Sequence, residues 1–231
     1  MSRKVKLGIL LLLSLSVYFI YAQTKDSSYT ITSIGDNSSI GINSYGIKEY
    51  SYIDYIKEEY EKEKDKVVLN KQLNQKDQSI KETLNSLKNT PNMKRVLYDT
   101  NLLILTLGQN DLFYKISIED NMNPQKLEKI VEDIDKDYQE LIEEIRKYYH
   151  NSIIVIGYDN KQEYYYQAKG IDLLNKVLEK NPEIIYINRE KILKEDKKYF
   201  SNSHSKYPNR YGYQRIAQEI IQKTLENKEN I

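Results

Sequence analysis

The run Leu102-Leu-Ile-Leu-Thr-Leu107, halted by Gly108, constrains this chain more than any other stretch. It is uncharged and too short for a buried helix, so it reads as a strand covered on both faces. Such a strand needs a layer of structure on each side of its sheet. A short β-branched run at Tyr29 to Ile34 also reads as a buried strand, and apolar runs recur at Ser152-Ile-Ile-Val-Ile-Gly157 and at Ile184-Ile-Tyr-Ile187, with a shorter one at Val67-Val-Leu69. Helical spacing lies between them. Tyr52, Ile53, Ile56 and Tyr60 mark a helix over 48–65, and Ile80, Leu84 and Leu87 mark one over 77–88. Pro124 opens a long helix to 149, striped by Leu127, Ile130, Val131, Ile134, Leu141, Ile142 and Ile145. A helix over 163–180 closes at Asn181-Pro182, residues 190–208 read as irregular, and 209–226 is the last helix. Strands alternating with helices predict an α/β protein: a three-layer α/β/α sandwich around a five-stranded parallel sheet, in one domain over residues 29–231.

The N-terminus has a different character. Arg3, Lys4 and Lys6 precede an apolar run from Leu7 to Ala22, with Tyr18, Phe19 and Tyr21 near its end. Residues 1–22 are therefore expected to be a secretory signal peptide or an N-terminal membrane anchor, followed by a polar linker over 23–28. The expected location is secreted, or anchored on the outer face of the cytoplasmic membrane. There is no cysteine, which excludes thiolate catalysis, Cys metal sites and a lipid-modified cysteine. Two histidines and no cysteine argue against zinc, and no Gly-rich phosphate loop follows a strand, so neither a metal nor a cofactor is expected. With 35 Lys and Arg against 34 Asp and Glu, the chain lacks the basic excess of a nucleic-acid binder. The 22 tyrosines accompany abundant Lys, Asn and Ile and are read as compositional background.

In parallel α/β sheets, chemistry gathers at the carboxyl ends of the strands. The first strand runs into Gly35-Asp36-Asn37-Ser38-Ser39, the central one into Gly108-Gln-Asn110-Asp111, and the last helix opens at Pro208-Asn209-Arg-Tyr-Gly212-Tyr213. In order and spacing these blocks resemble the SGNH (GDSL-type) hydrolases, whose pattern is Gly-Asp-Ser, Gly-x-Asn-Asp and Asp-x-x-His-Pro-Asn-x-x-Gly-Tyr. The resemblance spans residues 29–226. It implies a flavodoxin-like sandwich and an ancestry in ester hydrolysis by Ser, His and Asp, with an oxyanion held by backbone N–H groups and an Asn side chain.

Carried over residue by residue, the pattern is broken. Asn37 stands where the nucleophilic Ser belongs, and an amide cannot replace it; Ser38 and Ser39 follow. The oxyanion Gly should lie between Asn70 and Ser79, where there is none. Asn110 matches the oxyanion Asn, flanked by Gly108 and Asp111. Without a gap in the last block, Tyr207 takes the place of the catalytic His and His204 that of the Asp. With three residues inserted, His204 becomes the base and Ser201 stands where Asp should be. Asp196, in the preceding loop, is a candidate substitute for that Asp, and His150 is placed at a helix C-terminus, complementing its dipole. The resemblance then implies a catalytically impaired envelope protein that binds or scaffolds around Asp36, Asn37, Asn110, His204 and Tyr207. Its expected partners are an acylated glycan, a lipid or an envelope protein, with membrane association through residues 7–22. The alternative is an active esterase with Ser38 as nucleophile, His204 as base and Asn110 as oxyanion donor.

Overall fold

The computed structural model describes residues 28–43, 45–160, 164–193, 197–201 and 207–229. The expected signal or anchor and most of the linker, together with Asp196 and His204, lie outside the described residues. No helix among the described residues is long and apolar enough to cross a membrane.

Five strands, β1 (Tyr29–Gly35), β2 (Val67–Asn74), β3 (Leu102–Thr106), β4 (Ile153–Ile156) and β5 (Ile185–Ile187), form one sheet in the order β2-β1-β3-β4-β5. Every pairing is parallel. The helices are α1 (Asn37–Ile40), α2 (Tyr52–Tyr60), α3 (Ile80–Asn89), α4 (Pro91–Tyr98), α5 (Gln109–Ser117), α6 (Pro124–Arg146), α7 (Tyr165–Lys180), α8 (Arg189–Leu193) and α9 (Arg210–Glu229). A 3₁₀ turn, Lys197–Tyr199, precedes α9. The order places β1 and β3 side by side at the centre, so the turns that follow them emerge together on one edge.

Side-chain alternation along the central strands divides the core in two. Leu103, Leu105, Ile153 and Val155 face the layer of α3 to α7, while Leu102, Ile104, Ile154 and Ile156 face α2, α8 and α9. β3 and β4 are buried on both faces, as their unbroken apolar runs require.

Several boundaries differ from the sequence expectation. The second strand runs on to Asn74 because its polar half lies at the sheet edge, where pairing with β1 does not need burial. The first long helix is shorter than 48–65: Ser51 caps it and it ends at Tyr60. The helix expected over 77–88 starts at Ile80, after a Ser79–Glu82 capping box that satisfies the first free N–H groups. Helices α4 and α5 were not expected, and the irregular region holds α8 and the 3₁₀ turn. The long helix ends at Arg146, so His150 lies beyond its last turn; Arg146 occupies that end and donates to Asn151 O and Glu183 O.

Candidate functional site

The site is assembled where β1, β2, β3 and β5 end. The turn after β1 is held from below. Asp36 caps α1, accepting from Ser38 N–H at 3.0 Å, and its own N–H donates to Thr106 O at 3.2 Å. Ser39 Oγ lies 2.9 Å from Tyr52 OH, which lies 2.6 Å from Thr106 Oγ1; this buried hydroxyl chain ties the turn to α2 and β3. Gly35 permits the fit, since a Cβ there would lie 2.8 Å from Thr106 O and closer still to Ser39 Oγ.

Asn37 stands at the position of the expected nucleophile. Its Nδ2 donates to Tyr207 OH at 3.0 Å and lies 3.4 Å from Asp77 Oδ1. The Asn37–Tyr207 contact closes a separation of 170 residues. Tyr207 is delivered there by the segment before α9: Phe200 and Pro208 form an antiparallel bridge, Asn209 N–H donates to Tyr199 O, and Asn209 Oδ1 accepts from Tyr211 and Gly212 N–H. Burial raises the Tyr207 phenol above its ordinary value, and the hydrogen bond to Asn37 only partly opposes this. The phenol is thus held protonated and unsuited to act as a base at neutral pH.

Ser38 points elsewhere. It is 3 % exposed, and its Oγ accepts from Arg189 Nη1 at 3.2 Å. Arg189, at the start of α8, is itself 3 % exposed. Its Nε sits 2.9 Å from the buried Asp159 Oδ2 in a charge contact that is not an aligned hydrogen bond, and its guanidinium lies 5.5 Å from the Tyr158 ring centre. Burial raises the Asp36 carboxyl to about 6 against the pull of Arg189. A buried Asp36–Arg189–Asp159 charge group therefore underlies the turn. Sequence reasoning did not find Arg189 or Asp159; they lie two and three residues past the ends of β5 and β4, and the strand-end rule applied to those strands would have found them.

After β2, where the resemblance calls for a glycine, Asp77 adopts a left-handed backbone with φ of 56°. That conformation is uncommon outside glycine, and Asp and Asn tolerate it best. A residue within the segment where the resemblance expects a glycine thus takes a glycine-type backbone and carries a carboxylate. After β3, Gly108 takes φ of 112° and starts α5. Asn110 Nδ2 donates to Gln78 O at 3.3 Å, so its amide is engaged with the neighbouring loop. Asp111 accepts from Ile80 N–H with both oxygens, and burial raises its carboxyl to about 6. A cavity of about 590 Å³ opens beside Asp77, Asn110 and Asp111. Among the described residues no group of three His, Cys, Asp or Glu side chains is placed to hold a metal ion.

The structure therefore brings Asn37, Tyr207 and Asp77 together, sets Asn110 and Asp111 on the adjoining loop, and turns Ser38 inward. The chain has the SGNH-hydrolase fold. It superposes on the lipase Lip_vut3 from a goat rumen metagenome with a TM-score of 0.71 at 20% identity, over 85% of this chain and 97% of that one. A catalytic mutant of Axe2, an acetylxylan esterase from Geobacillus stearothermophilus, aligns at 0.61 and 11% identity, over 85% and 94%. The family 3 carbohydrate esterase of Clostridium thermocellum aligns at 0.55 and 14%, over 86% and 96%. No protein-family model and no curated protein sequence matches the chain.

Proposed function

We propose that this SGNH-fold protein binds rather than hydrolyses its ligand and works outside the cytoplasm as an envelope binding or scaffolding protein. The observation that carries the reading is the 3.0 Å Asn37–Tyr207 hydrogen bond, at the two positions where the resemblance places nucleophile and base. Neither an amide nor a protonated phenol can perform those roles. The Asp77 carboxylate adds to this, because a negative group beside the site opposes an oxyanion rather than stabilising it. The ligand class we assign is an acylated glycan, a lipid or an envelope protein. Similarity to a lipase and to carbohydrate esterases supports an acyl ester in that ligand. The apolar run from Leu7 to Ala22 supports the location.

The competing reading, an esterase using Ser38, His204 and Asn110, requires an exposed serine oxygen within reach of a base. The buried Ser38 Oγ already accepts from Arg189. The deciding experiment is hydrolysis of short-chain aryl esters by the full-length protein, Ser38→Ala and His204→Ala. Wild type without turnover above the uncatalysed rate is the expected result. Turnover abolished by both substitutions would establish the esterase and overturn the binding reading.

A further inference from the structure

The cavity beside Asn110 has two features that act together. One wall is apolar: Phe113 packs against the core, while Tyr114 and Ile118 are 65 % and 62 % exposed. Large apolar side chains this exposed beside a concave surface mark a contact site. The rest of the lining is dominated by acid. Asp77, Glu82, Asp111 and Asp137 contribute carboxylates, against the two cations Lys81 and Lys115. Lys81 is drawn to Asp137 at 3.5 Å, and Asp77 lies at the end nearest Asn37. The volume of about 590 Å³ suits a small organic ligand.

From this combination we infer that the cavity takes a ligand bearing an alkylammonium group, its cation against the Tyr114 ring and the Asp77 carboxylate and its apolar body against Phe113 and Ile118. The inference rests on the reading of this face as a binding site and adds the charge of what it binds. The physical ground is complementarity. An aromatic face attracts a cation through its quadrupole, most strongly where water is partly excluded, and a nearby carboxylate adds to the same potential. An anionic ligand would meet four carboxylates against two ammonium groups, and a neutral one would gain only the apolar wall.

Three probes of similar size separate the outcomes: benzyltrimethylammonium, benzyl alcohol and benzoate, titrated into the full-length protein by calorimetry or ligand-observed NMR. Binding of the cation about tenfold or more above the neutral probe, with no binding of benzoate, is the expected result. Asp77→Asn keeps a residue that tolerates the left-handed backbone, and Tyr114→Ala alters an exposed side chain, so both should fold. Asp77→Asn should weaken the cation several-fold and leave benzyl alcohol unchanged, whereas Tyr114→Ala, which also removes part of the apolar wall, should weaken the cation by a larger factor than benzyl alcohol. Equal or tighter binding of benzyl alcohol or benzoate would overturn the charge assignment and leave a binding site. No saturable binding of the cation in the millimolar range would overturn the inference. Failure of the binding reading itself would show separately, as ester turnover that Ser38→Ala and His204→Ala abolish.

Discussion

The turns after β1 and β3 start from the same plan. Each follows a strand whose C-terminal half is buried, has a glycine at or just past the strand end, begins a helix and directs a buried aspartate at backbone N–H. Burial raises both carboxyls to about 6. They differ in what opposes them. Asp36 accepts from its own turn and shares the interior with Arg189 and Asp159, so the β1 turn is clamped by charge from beneath. Asp111 accepts from Ile80, on the helix that follows β2, and has the open cavity on its other side. One aspartate holds a loop to the core; the other joins two loops at the rim. The β1 turn is thus secured from the interior, whereas the β3 turn is secured by a residue that also borders the cavity.

The largest test of this contrast is Arg189→Ala. It leaves two carboxylates buried without their cation and should lower stability by about 3–5 kcal/mol, read by urea unfolding. A loss below about 1 kcal/mol would mean that the buried charges do not hold the β1 turn.

The two aspartates also set a pH dependence. Their folded values lie above the ordinary carboxylate value of 3.8. Between that value and about 6 the folded state holds more protons than the unfolded chain. The stability each acid contributes is therefore complete below pH 4 and is lost as pH rises through 6, by roughly 3 kcal/mol apiece. Asp111→Asn should abolish its share, so the variant gains on wild type as pH rises from 4 to 7 in paired unfolding curves. Parallel curves would place Asp111 in contact with solvent rather than in the interior.

Gly35→Ala probes the packing of the β1 turn. The added carbon meets Thr106 O and Ser39 Oγ, and the cost should be about 1–3 kcal/mol in thermal or denaturant unfolding. The smallest expected effect belongs to the rim. Tyr207→Phe removes the hydroxyl that Asn37 Nδ2 donates to and should cost about 1 kcal/mol, detectable as a shift in denaturation midpoint at unchanged slope.

Much of this was legible beforehand, for identifiable reasons. The continuous apolar runs at β3, β4 and β5 and the β-branched run at β1 have the length and composition of strands inside a covered sheet, and alternation with helices then left a parallel sandwich. β2 was legible only as far as Leu69, because its second half pairs at an edge and carries no apolar signature. α4 was missed although Pro91 at its first turn is a start signal, since it buries only Met93 and Leu97. At the site, Asn37, Asn110 and Tyr207 were marked by motif position. Arg189 was not: its place after β5 was its one local signal, and no motif surrounds it.

The sequence by itself determined the layered fold, the strand ends at which the candidate site forms, and an Asn after Gly35-Asp36 where the resemblance expects a Ser. These depend on local patterns: hydrophobic period, turn residues and short motifs. Only the tertiary structure decided that Asn37 meets Tyr207, that Ser38 turns inward to Arg189, and that Asp77 takes the backbone shape expected of a glycine. The first two are contacts across 170 and 151 residues. Such meetings arise from how the sheet order brings distant strand ends to one edge, and no local pattern encodes them.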